Sequence, residues 1–144
     1  MSDKERSTDE LMNEIKQTGE IKKFIERNES EFVSEPLHDI LNRLLKEKNM
    51  KKSEVVARSS LNRIYGYQIF AGKRIPSRDK LIALCFGFKL NVEETDKLLK
   101  SAGFSELYAR NKRDALIIFA INSRKSIFAA NELLFENEFD ILTV

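Results

Sequence analysis

Leu37, Ile40, Leu41, Leu44 and Leu45 recur at i, i+3, i+4, i+7 and i+8, a spacing that fits one face of an α-helix and no strand. Pro36 just ahead of them suits the first turn of that helix, and Lys46 and Lys48 near its end suit its dipole. Ser53 then reads as the cap of a short helix, "EVVARS", with Val55 and Val56 inward. The helical pattern restarts at Asn62 and runs through Ile69 and Phe70 to Gly72, a natural C-terminal stop. "KRIPS" reads as a turn. Ser77 caps the next helix, with Leu81, Ile82, Leu84, Cys85 and Phe88 inward. Asn91, with Glu94 three residues on, opens a further helix that carries Leu98, Leu99 and Ala102 to a stop at Gly103.

The two ends are also read as helical. Ser7 and Glu10 form a capping-box pattern ahead of Leu11, Ile15 and Ile25, and Gly19 is a candidate break in that segment. An acidic stretch, "NESEFVSE", follows. At the other end, "SELYARNKRDALIIFAINS" is expected to be a buried helix despite its β-branched run. "KSIFAANELLFENEFDIL" repeats at seven, with Ile127, Leu134 and Ile141 on one track and Phe128, Phe135 and Leu142 on another. Two heptads do not define a coiled coil, but such an apolar face must pack on something, either the core or a second copy.

Two prolines and five glycines in 144 residues leave little punctuation, which favours long helices over many short strands. The longest apolar run, Ala115 to Ile121, is far short of a membrane span, and no signal segment opens the chain. One cysteine rules out an intramolecular disulfide. A cytoplasmic protein with no membrane partner is the expectation. The net charge of +2 hides an asymmetry: residues 1–35 carry −4, residues 36–90 carry +8 and residues 91–144 carry −2. A basic centre between acidic ends points to a polyanionic partner, or else to a solvated basic surface balanced by its own ends.

Long helix, short helix, tight turn, helix to glycine, basic turn and helix is the sequence shape of a helix-turn-helix. "KKSEVVARSSLNRIYGYQIFAGKRIPSRDKLIALCFGF" resembles the phage-repressor-like (XRE-type) helix-turn-helix family, most closely in "GKRIPSRDKL". The resemblance covers residues 37–88, about a third of the chain. It implies a repressor-like helix-turn-helix domain of four to five helices, and with the helical N- and C-terminal extensions read from caps and spacing the expected fold is all-α. It also implies sequence-specific binding of double-stranded DNA in the major groove, a role in transcription regulation, and a homodimer. Carried over residue by residue, Lys52 and Ser53 match the family's phosphate contacts, and Asn62, Arg63, Tyr65 and Gln68 match the exposed side of its recognition helix, about residues 62–71. The chain departs from the family at two places. Val56 stands where alanine is usual, and Gly66, flanked by Tyr65 and Tyr67, stands where a branched apolar residue is usual.

The residue types suit DNA. Arg63 can pair bidentately with guanine and Gln68 or Asn62 with adenine. Lys52, Lys73, Arg74 and Arg78 can neutralise phosphates, giving affinity and register. The alternative is structural: Tyr67 as a half-buried packing residue, and Arg78 with Asp79 as a surface pair. The expected organisation is an acidic helical extension (1–35), a DNA-binding domain (36–103) and a C-terminal helical pair (104–144) that completes the core or dimerises. A protein partner has two places to bind, the acidic N-terminal segment and the C-terminal helices. The rival reading is a protein-binding adaptor or antitoxin-like partner that keeps the fold with little sequence-specific DNA binding. An RNA binder would need stacking aromatics on an open face, for which only Tyr65 and Tyr67 are candidates. No catalytic constellation, metal spacing or cofactor motif is present. The one histidine, His38, precedes Asp39, and neighbours on a helix are not expected to face each other. Cys85 sits on an apolar helical face as an inert core thiol.

Overall fold

The computed structural model describes residues 7–27 and 35–143, and among them it is all-helical. Of the acidic stretch 28–35, only Glu35 falls within the described residues. The helices are α1 (Thr8–Gln17), α2 (Ile21–Arg27), α3 (Leu37–Glu47), α4 (Lys52–Arg58), α5 (Arg63–Phe70), α6 (Arg78–Gly87), α7 (Val92–Ser101), α8 (Lys112–Asn122) and α9 (Ile127–Glu136). None is long and apolar enough to cross a membrane. The chain divides into two units, Met1–Ser34 and Glu35–Val144. Residues 104–144 are part of the second unit.

In the first unit, Ser7 Oγ accepts from Glu10 N at 3.1 Å and starts α1. The Thr18 hydroxyl holds Glu20 N across the break at Gly19.

The second unit is built around α6. Leu81 to Phe88 are all buried, so this helix is apolar all round rather than on one stripe. Its approach to α4 depends on Gly87: a Cβ there would meet the Val55 carbonyl oxygen at 2.4 Å. Around α6 lie Leu41 of α3, Ile69 and Phe70 of α5, Leu98 and Leu99 of α7, Ile117 of α8 and Leu134 of α9.

Side chains open most of these helices. Asn62, Ser77, Asn91, Asn111 and Ser126 each accept a backbone N–H in the first turn of α5 to α9. At Asn91 the box is reciprocal, with Glu94 Oε1 accepting from Asn91 N at 3.0 Å. The helix ends share one device. Asn49, Ser60, Gly72, Lys89, Gly103, Arg124 and Glu138 follow α3 to α9 in turn, each in the left-handed region. After every one of these helices but α4, the next residue donates back to a carbonyl five positions earlier, as Leu90 N does to Cys85 O at 3.0 Å.

Three boundaries differ from the sequence reading. Ser53 is not a cap: α4 begins at Lys52, so Ser53 lies inside the first turn. Residues 105–111 are not helical, because their polar groups are claimed from elsewhere. Leu107 N donates to Asp96 Oδ1, Tyr108 N donates to Asp114 Oδ2, and Arg78 binds the carbonyls of Ser105 and Glu106. Finally, α9 stops at Glu136, so the heptad tracks do not continue as helix. Ile127 and Leu134 close the core, and Leu142 returns to it from a tail fixed by Asn131 Oδ1. Phe128 and Phe135 remain exposed.

Candidate functional site

Helices α4 and α5 meet at an angle set by small contacts. Val55 and Val56 bury one face of α4. The buried Ser59 hydroxyl donates to Val56 O at 2.7 Å, and Ser60 turns the chain at φ 60°. Asn62 Oδ1 then accepts from Tyr65 N at 3.1 Å and starts α5. Gly66, Ile69 and Phe70 face inward. A Cβ at Gly66 would lie 2.6 Å from Val56 Cγ1, so α5 sits closer to α4 than any side chain there would allow.

The opposite side of α5 is a shallow groove lined by Asn62, Arg63, Ile64, Tyr67, Gln68 and Ala71, with Lys73 beyond its end. Tyr67 organises this face. Lys52 Nζ lies 5.3 Å and Arg63 Cζ 5.6 Å from its ring centroid, so one aromatic ring holds a cation from each helix. Lys73 and Arg74 follow on the exposed turn after Gly72. Gln68 Oε1 accepts from Arg74 Nε at 3.2 Å, which ties the turn to the helix face. Gly72 itself is left-handed, and a Cβ on it would meet the His38 ring at 2.7 Å.

Asn62, Arg63, Gln68, Lys52, Lys73 and Arg74 therefore lie along one side of the α4–α5 pair, with Asn62 committed through its oxygen to capping, while Ser53 is exposed in the first turn of α4. Two expected contacts are placed elsewhere. Tyr65 is off the groove, because successive side chains rotate by about 100° and those at 63, 64, 67, 68 and 71 share a face that 65 does not. Tyr65 is half-buried against the core, as Tyr67 also is, and has Lys80 Nζ 4.4 Å over its ring. Arg78 does not face the basic turn. It donates to Asp114 Oδ1 at 3.1 Å and Oδ2 at 2.9 Å, to Ser105 O and to Glu106 O. Nor do Arg78 and Asp79 pair with each other: Arg113 holds Asp79 through both carboxylate oxygens, at 2.8 and 3.0 Å. The N-termini of α6 and α8 are thus cross-linked by two reciprocal Arg–Asp forks.

Ile64, 70% exposed on the groove, and Ile75, 88% exposed on the turn, were not read as site residues from the sequence. A helical wheel centred between Arg63 and Gln68 would have included Ile64 and Tyr67 and left out Tyr65. Two other expectations are settled by geometry. His38 Nε2 lies 3.4 Å from Asp39 Oδ1, so these neighbours do meet, by bending toward each other in the first turn of α3. Burial pushes the Cys85 thiol up to about 12.

No family model, curated protein or solved structure matches this chain.

Proposed function

We propose that residues 35–144 bind duplex DNA sequence-specifically as a transcriptional regulator, with α5 as the recognition helix in the major groove. One observation carries the reading: the outward face of α5 joins hydrogen-bonding and apolar groups in one solvent-facing row, between Lys52 at one end and Lys73 and Arg74 at the other. Arg63 supplies a bidentate fork for guanine, Gln68 an amide for adenine, and the Ile64 side chain an apolar contact for a thymine methyl. Lys52, Ser53, Lys73 and Arg74 supply phosphate contacts that set register. The match of "GKRIPSRDKL" to the repressor-like pattern supports the same assignment. The regulator acts on DNA as a homodimer, for which the exposed Phe119 and Phe135 supply apolar surface.

Selection from a random duplex pool with the full chain tests this. The expected result is one enriched motif arranged as two half-sites about 10 base pairs apart, lost with Arg63→Ala/Gln68→Ala. A pool that stays random contradicts the proposal and favours the adaptor reading, in which the fold holds another protein.

A further inference from the structure

A pocket of about 360 Å³ opens between the C-terminal ends of α4 and α6 and the turn joining α8 to α9. That is near the lower end of the range for small-molecule sites. Its wall is apolar, from Phe86, Leu90, Ile121 and Ile127, and Phe128 stands at its mouth, 61% exposed. Its polar lining is Arg58, Lys89, Arg124, Lys125 and Ser126, with no carboxylate. We infer that this pocket binds a small amphipathic carboxylate, its apolar chain on the Phe86–Ile127 wall and its carboxylate between Lys89 and Arg124.

The cations divide by what they already hold. Arg58 is part of the wall: its Nε donates to Gly87 O at 2.9 Å, and its Nη1 lies 3.9 Å from Glu54. The Ser126 hydroxyl oxygen accepts from Ala129 N at 3.2 Å. Lys125 Nζ lies 6.0 Å from the Phe119 ring. The side chains of Lys89 and Arg124 make no ion pair or hydrogen bond with a described residue. Arg124 is close enough to Glu94 to help hold its carboxyl below the usual range, but that carboxylate is already bonded to Lys48 at 3.2 Å and to Asn91 N.

Lys89 and Arg124 occupy the left-handed stops of α6 and α8, at φ 59° and 56°. Glycine fits such positions without the steric cost of a Cβ, and α5 and α7 use it there. The other five stops carry side chains, and the two that border this pocket carry long cationic ones. The apolar wall rules out a small inorganic anion as the best occupant, since it would leave that surface wet. Lys89 and Arg124 are exposed and make no ion pair with a described residue, which favours a carboxylate over a neutral occupant that would leave both charges unmatched. None of the lining residues belongs to the α5 face, so this inference is independent of the DNA reading.

The test is an amide NMR titration of the full chain with octanoate, octanamide and acetate. Octanoate is expected to shift Leu90 and Ile127 saturably, with octanamide and acetate binding at least about tenfold more weakly. Lys89→Gln/Arg124→Gln should lower octanoate affinity by about the same factor. Lys89→Gly/Arg124→Gly should lower it equally while leaving Tm at or above that of the parent, which separates lost binding from lost folding. Octanamide binding as tightly as octanoate, affinity unchanged in either double variant, or no saturable shift at millimolar octanoate would each overturn the inference.

Discussion

Gly66 of α5 lies against Val56 of α4, with the space for a Cβ at residue 66 already taken by the Val56 Cγ1 and Cγ2 methyls. The two positions at which the sequence departs from the pattern it resembles are thus in contact. Val56 of α4 fills the space that a side chain at residue 66 of α5 would otherwise take. Glycine lowers helix propensity at this position, and the close approach of α4 and α5 offsets that cost.

Gly66→Ala is therefore expected to destabilise by about 1–3 kcal/mol despite alanine's better helix propensity, because stiff Val56 cannot move aside freely. Val56→Ala alone should cost about 2 kcal/mol through the space it leaves. The double variant should be more stable than the sum of the two losses predicts. Urea denaturation of the four proteins gives the coupling, and strict additivity would rule out a compensated pair.

The crossed forks make a separate prediction. Asp114 is almost fully buried and accepts from Arg78 and Tyr108 N. Arg78→Ala leaves that carboxylate without its charge partner and should cost about 3–5 kcal/mol. Arg78→Lys should recover only part, since an ammonium cannot reproduce the fork. If Arg78 were a phosphate contact, its loss would instead flatten the salt dependence of DNA binding with little change in stability.

Cys85 fixes an alkaline limit. Its ordinary value is 9.0 and burial raises it to about 12, so the thiol is neutral in both folded and unfolded states below pH 9. Above that, the unfolded chain loses the proton first, and the thiol's contribution to stability falls by about 1.4 kcal/mol per pH unit until the folded thiol ionises. Urea midpoints of the parent and Cys85→Ala should converge as pH rises from 8.5 to 10.5. A gap that stays constant would contradict burial of the thiol. Modification by a disulfide reagent at pH 8 should proceed only as fast as the protein opens.

Glu94 sets the acid side. Its carboxyl is held low first by Asn91 N and then by Lys48. Its contribution is present above its ordinary value of 4.5 and is lost as pH falls through the lower folded value. Glu94→Gln should flatten the acid limb of the stability profile, and an unchanged limb would show that the charge of Glu94 contributes nothing.

Much of this fold was legible in the sequence because helix starts carry chemistry. Asn62, Ser77, Asn91 and Gly72 announce themselves by residue type, and the inner faces of α3, α6 and α7 follow from spacing. The stops at Asn49, Ser60, Lys89, Arg124 and Glu138 were not legible, because residues other than glycine occupy left-handed positions there. The loop before α8 could not be seen either. Its shape depends on Arg78, Asp96 and Asp114, which are distant in sequence and polar, so no periodicity marks them. At the candidate site, residue types were readable, but the rotation of a two-turn helix was not. The rotation is set by what α5 buries, Gly66 on Val56 together with Ile69 and Phe70, and it leaves Tyr67 toward Lys52 and Arg63 and Tyr65 beside Lys80.

The most direct test of the DNA reading compares two variants on the selected duplex and a scrambled one across a salt series. Lys73→Ala/Arg74→Ala should weaken both duplexes alike and reduce the slope of log affinity against log salt by about 2. Arg63→Ala/Gln68→Ala should instead remove most of the preference for the selected duplex. If both pairs weakened both duplexes equally, the face of α5 would be an electrostatic surface rather than a sequence reader, and the central claim would be wrong.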